Sequence, residues 1–178
     1  MDVRKSEIQP GEPLPLTDSV YRHGVNTMVE KEDRYTPTIY FFDLSQTDKN
    51  TGYSLSVDWD KKTTPEESII RIGCSYKTKP DFEFKNYKNR VIYALEIAFI
   101  DSLDWISKIE YSPTIHTKEI LGHPNNKAHS LVFYDKAEYA QNRPALLTEL
   151  RNHAKDKKIE FDMTKVEVFV EKCRKNKK

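Results

Sequence analysis

Residues 52–60, Gly-Tyr-Ser-Leu-Ser-Val-Asp-Trp-Asp, carry the clearest hydropathy pattern in the chain. Tyr53, Leu55, Val57 and Trp59 alternate with Ser54, Ser56, Asp58 and Asp60, the period of two that sets one face of a strand on a core and leaves the other polar. Further strands are predicted over 19–25, over the β-branched and aromatic run Thr38-Ile39-Tyr40-Phe41-Phe42, over 108–111 and over 130–134. Residues 45–51 are polar and read as a loop joining two antiparallel neighbours.

Helix signals are fewer. Thr64-Pro65-Glu66-Glu67 supplies an N-cap, a proline at the first helical position and the return half of a capping box, so a short helix starts at Pro65 and ends near Gly73. Asn142-Arg143-Pro144 reads as a second start, followed by Leu146, Leu147 and Leu150 on one side. Residues 91–106 fit both periods; the alternation of Val91, Tyr93, Leu95 and Ile97 favours a strand over 91–98, then a turn or short helix. Residues 163–173 stay open between a helix with Val166, Phe169, Val170 and Cys173 in a stripe and an edge strand with Val166, Val168 and Val170 on one side.

The sum is an α+β fold: one domain with a mostly antiparallel sheet of about five strands and about three helices. An extended arm over 1–17 is set apart by Pro10, Gly11, Pro13 and Pro15, the domain runs over 18–171, and 172–178 is a basic tail. At 178 residues one core suffices.

Composition narrows the function classes. Hydrophobic residues make up 37% and charged residues 32%, yet 10 Tyr, 8 Phe and 2 Trp provide the bulk that a disordered chain lacks. Net charge is +1, which gives no field that argues for nucleic acid or an anionic membrane. No apolar run approaches the roughly 20 residues of a membrane-spanning helix, the N-terminus has no signal-peptide core, and two distant cysteines make no disulfide framework, so a reducing cytoplasm is expected.

Three groups of residues have chemical capacity. In the polar row Ser54, Ser56, Asp58 and Asp60, alternate side chains on a strand stand about 7 Å apart and point the same way, so two carboxylates could share a cation or divide acid and base roles. The plain alternative is a solvated sheet face. The loop over 122–130 holds His123, Asn125, Asn126 and His129; a loop imidazole transfers protons near pH 7, while His129 beside Leu131 and Phe133 also suits a core-edge histidine bonded to backbone. His116, His123 and His129 match no metal-ligand spacing, and neither a metal nor a cofactor is expected. Arg22 on the first strand could hold a phosphate or carboxylate in a two-point grip, or form an ordinary surface ion pair. Cys74 and Cys173 sit in apolar patterns, as packed thiols do.

Val20-Tyr21-Arg22, Leu55-Ser56-Val57-Asp58 and Pro124-Asn125-Asn126-Lys127-Ala128-His129-Ser130 resemble, in order, three short blocks of a group of small uncharacterised bacterial proteins: a Tyr-Arg pair, a Leu-Ser-Val-Asp strand and an Asn-Pro-Ala-His-Ala-like block. The last block departs from that pattern at Asn126-Lys127. The resemblance carries no activity with it. It implies a bacterial source and marks Arg22, Ser56, Asp58, Asn125 and His129.

The first expectation for function is a non-catalytic interaction or accessory subunit of a bacterial multiprotein assembly, such as a phage-defence system, with a protein partner or a homo-oligomer docking on exposed aromatics Phe82, Phe84 and Tyr87. The alternative is a small enzyme acting on a phosphate-bearing substrate, nucleotide or RNA, with Asp58 and His129 as acid and base, Arg22 on phosphate, and Ser56 and Asn125 in binding. An ADP-ribosyltransferase-like variant with a late glutamate near Glu171 lacks the Ser-Thr-Ser and Glu-x-Glu patterns. The second alternative is nucleic-acid binding through the basic tail.

Overall fold

The strand at the centre of the hydropathy pattern is also near the centre of the sheet. The structure, a computed structural model, describes residues 7–33, 35–75, 83–116 and 124–175. Among these, six strands, β1 (Ser19–Val25), β2 (Ser54–Trp59), β3 (Arg90–Glu96), β4 (Ile106–Tyr111), β5 (His129–Tyr134) and β6 (Lys158–Ile159), form one sheet in the order β4-β5-β2-β1-β3-β6. Every neighbouring pair is antiparallel. Five helices accompany it: α1 (Gln46–Asn50), α2 (Pro65–Gly73), α3 (Ile97–Asp101), α4 (Lys136–Ala154) and α5 (Met163–Lys175). None is long and apolar enough to cross a membrane. The fold is α+β, with slightly more elements than the sequence suggests.

Each face of the sheet has its own cover. On one face Val20, Leu55, Val57, Trp59, Tyr93, Leu95, Ile109 and Val132 pack under α4 through Leu146, Leu147, Leu150 and Ala154. Trp59 is buried there against Tyr111, and its indole N–H donates to Asp18 Oδ2 at 2.9 Å, which satisfies its one donor. On the other face Ile69 of α2 and Val166 and Val170 of α5 close over Ile92 and Tyr87. This second cover lies over the β1, β3 and β6 side and leaves the polar row of β2 and the start of β5 facing a cleft.

The capping box at Thr64 forms as expected: its hydroxyl accepts from Glu67 N at 3.2 Å, and Glu67 Oε2 accepts from Thr64 N at 2.9 Å. This fixes the entry of α2, and with it the helix face that lines the cleft. Residues 45–51 hold a short helix rather than a loop, because Ser45 and Asp48 close a capping box in which Asp takes the place of the usual Glu.

The run 39–42 is a 3-10 turn, not a strand. Phe41 and Phe42 are both buried, which a strand's alternation would not allow on one face, and Tyr40 points outward. Phe41 drops onto Gly24, where a Cβ would stand 2.3 Å from the ring. The helix expected at Pro144 begins eight residues earlier, capped by Asp135 Oδ1, which accepts from Ala137 N and Glu138 N at 2.9 Å. Proline is therefore inside α4 and not at its start. Residues 163–175 are helical, which settles the ambiguous stretch and puts the boundary expected after Glu171 inside a helix. Residues 7–17 run along the edge strand β4, with Gly11 N donating to Tyr111 O and Tyr111 N to Glu12 O, and Leu14 joins the core.

Candidate functional site

Asp58 lies at the floor of the cleft, and its neighbours come from four parts of the chain. The β2 alternation turns it to the face opposite Val57 and Trp59. Tyr21 of β1 and His129 of β5 stand directly across from it in the sheet. Its carboxylate is buried and saturated: Oδ2 accepts from Ser68 Oγ and from Arg71 Nη2, both at 2.7 Å, Oδ1 accepts from Asn126 Nδ2 at 2.7 Å, and His23 Nε2 lies 3.5 Å away. Ser68 and Arg71 are three residues apart on α2, so they share the helix face turned to the sheet.

Burial alone would raise the Asp58 pKa, but the charges of protonated His23 and of Arg71, with the Ser68 and Asn126 hydrogen bonds, outweigh it and hold the carboxyl below its ordinary value. His23 is pushed the other way. Burial and the nearby arginines bring it down to about 4, although Asp58 favours its charged form. Asp58 is therefore the anionic tie of a local framework, and the polar row at this position is not a solvated sheet face.

His129 occupies the same cleft in a different arrangement. Its Nδ1 lies 2.6 Å from the Ser112 carbonyl and its Nε2 lies 3.3 Å from Ser56 Oγ. No hydrogen bond or ion pair joins it to Asp58. The cleft, of about 480 Å³, is also lined by Lys85, Arg90, Thr114, His116 and Asn126. Burial lowers the pKa of Lys85, and Arg90 adds to the shift; burial lowers Arg90 likewise. Among the described residues neither has an acidic partner, and the Arg90 Nε donates to the Asn86 carbonyl. Among its described lining residues the cleft thus gathers the cationic side chains of Arg71, Lys85 and Arg90, and one carboxylate that is already neutralised.

Of the residues singled out from the sequence, Asp58, Ser56 and His129 meet here. Arg22 also lines the cleft, with its guanidinium taken up by backbone carbonyls. It alternates with Tyr21 and His23, so its guanidinium lies on the α4 face, where Nε donates to the Phe41 carbonyl at 3.5 Å and Nη1 to the Ser56 carbonyl at 3.1 Å. A phosphate grip was expected of Arg22; the structure engages its guanidinium with these two backbone carbonyls. Asn125 shapes the loop, its Oδ1 accepting from His116 N at 2.7 Å, while the neighbour Asn126 reaches Asp58. Asp60 lies beyond β2 in a 3-10 turn and pairs with Lys61, so the two carboxylates do not share a site.

His23, Ser68, Arg71, Lys85 and Arg90 were missed. The capping box already placed α2 after β2, and Ser68 with Arg71 at helical spacing was the signal for its inner face. His123 and Phe82 lie outside the described residues. Tyr87 is buried and Phe84 is half-buried with the Arg174 guanidinium 4.7 Å above its ring, so these two are not the exposed aromatics expected. No family model matches the chain, and neither does any curated protein or solved structure.

Proposed function

We propose that the cleft binds a phosphate-bearing molecule, a nucleotide or a segment of RNA, and that the protein is a small enzyme acting on it. One observation carries this reading: Arg71, Lys85 and Arg90 line a cleft in which the one carboxylate among the described lining residues, Asp58, is fully engaged. Two cations with no acidic partner among the described residues, Arg90 half-buried and Lys85 exposed beside it, are placed to take up an incoming anion. Asp58 serves the site by fixing Arg71 and Asn126 and takes no proton in turnover. His129 keeps the acid-base role. Cys74 and Cys173 are not joined to each other in a disulfide, which fits a reducing cytoplasmic setting.

Calorimetric titration with pyrophosphate and with a nucleoside triphosphate tests the reading. Binding that weakens at least tenfold in Lys85→Gln/Arg90→Gln supports it; equal affinity in the variant, or no binding to the parent protein, refutes it.

The reading as an accessory subunit of a bacterial assembly, phage defence among them, draws on exposed Val168 and Phe169 on α5. A self-association or a stable partner detected by light scattering of native complexes would favour it. Nucleic-acid binding through the tail has less support, because Arg174 donates to the Gly73 and Lys85 carbonyls and stacks on Phe84.

A further inference from the structure

His129 can form its short contact with the Ser112 carbonyl in one way only. A carbonyl oxygen accepts and cannot donate, so the proton is on Nδ1. In the neutral imidazole Nε2 then carries the lone pair, and the group it faces is the Ser56 hydroxyl at 3.3 Å. Ser56 is the exposed member of the β2 polar row, while Ser54 and Asp58 on the same face are buried. His129 is directly opposite Asp58 and diagonal to Ser56, within reach of a side chain across an antiparallel pair.

Both groups are held from behind. The Arg22 guanidinium binds the Ser56 carbonyl from the far side of the sheet, where the β1–β2 ladder ends at Tyr21 and Asp58. Ser112 follows β4, and its N–H donates to the His129 carbonyl at 3.1 Å, so the two residues are tied by backbone as well as by the ring. Nucleophile, base and orienting acceptor are thus in sequence, with a backbone carbonyl in the place that a carboxylate fills in other serine nucleophile sites.

We propose that Ser56 is a nucleophile activated by His129 and oriented by the Ser112 carbonyl, and that it accepts a phosphoryl group from an anionic phosphate ester or anhydride held in the cleft. This rests on the anion-binding reading for its substrate, but the pair itself does not. In the first step Ser56 Oγ forms a bond to phosphorus, its proton passes to His129 Nε2, and the bond from phosphorus to the leaving oxygen breaks. His129 returns that proton to the leaving oxygen. Water then attacks the phosphoseryl group and gives a proton to His129 Nε2, the Oγ–P bond breaks, inorganic phosphate leaves, and His129 returns that proton to Ser56 Oγ. Lys85 and Arg90 supply positive charge along the same cleft wall. Arg22 is a positioning residue and touches no substrate.

The test is reaction of the intact protein with an uncharged fluorophosphonate, followed by peptide mass spectrometry. Label is expected on Ser56 and none in Ser56→Ala. General-base assistance is worth at least about a hundredfold, so the labelling rate should fall by that much in His129→Ala. His129→Gln gives the same loss, since its amide can still donate to the Ser112 carbonyl but takes up no proton; circular dichroism of both variants verifies the fold. An unlabelled Ser56 in the parent protein, or a rate unchanged in both His129 variants, overturns the proposal. Pyrophosphate binding to the parent protein is measured separately. Labelling of Ser56 without pyrophosphate binding leaves the nucleophile standing and removes the anion reading; binding without labelling does the reverse.

Discussion

Replacing Asp58 with alanine removes the one anion from a buried framework of donors. The carboxylate accepts three hydrogen bonds of 2.7 Å, from Ser68, Arg71 and Asn126, and its residue is only 5% exposed. Its loss leaves the Arg71 guanidinium inside the structure with hydrogen bonds to Ser68 and Thr63 but no counter-charge. Breaking such a pair by removing one partner costs about 3–5 kcal/mol. The Arg71 side chain is 20% exposed, so water partly solvates it and the cost falls toward the lower limit, about 3 kcal/mol. In a chain of this length that is a drop in melting temperature of roughly 6–12 °C. Urea unfolding followed by far-UV circular dichroism and tryptophan fluorescence measures it. Asp58→Ala/Arg71→Ala should lose less than the sum of the single variants by at least about 1 kcal/mol, because the orphaned charge is gone. A loss below about 1 kcal/mol for Asp58→Ala, with additive behaviour in the cycle, would mean that the carboxylate is an ordinary solvated group of a polar sheet face and would refute the framework.

The remaining expectations concern pH and packing. His23 titrates at about 4 in the folded state against about 6.5 unfolded, so the folded state binds fewer protons between those values. Stability is full above pH 6.5, falls by about 3 kcal/mol as pH drops to 4 and then levels off, and His23→Gln should flatten that slope; denaturation midpoints at a series of pH values that superimpose for both proteins would exclude it. Asp58 stays ionised through that window, since its own stabilising contribution is lost only as pH falls below the usual carboxylate range. Gly24→Ala forces a methyl to within 2.3 Å of the Phe41 ring, and a destabilisation of about 1–3 kcal/mol is expected from thermal melts, with no change if Phe41 is free to move away. Thr64→Ala removes the cap of α2 and should cost about 1 kcal/mol in the same assay.

Where local chemistry determined the structure, the sequence revealed it. The alternation around Ser56 fixed β2 and its two faces, and the Thr64 capping box fixed the start of α2. Other elements depend on tertiary partners. Residues 136–143 contribute only Tyr139 to the core, so the first turns of α4 have no apolar stripe, and the proline that looked like a start is tolerated inside. Phe41 and Phe42 have the composition of a strand, but the space above Gly24 draws them into a turn. The site divides along the same line. Ser56, Asp58 and His129 were visible because pleat and loop position were readable. Ser68 and Arg71, 10 and 13 residues from Asp58, come to it only through the packing of α2 on the sheet. Arg22 alternates with Tyr21 and His23, so one step of pleat takes its guanidinium to backbone carbonyls and not to the Asp58 cluster.

The proposed anion site comprises Arg71, Lys85 and Arg90 beside Ser56 and His129. A titration of ¹⁵N-labelled protein with pyrophosphate, followed by amide chemical shifts, tests it most directly. Saturable shifts are expected, concentrated at Ser56, Arg71, Lys85, Arg90, Asn126 and His129. Shifts that fail to saturate, or that gather at Lys172 and Lys175 near the end of α5 and leave the cleft unmoved, would contradict it.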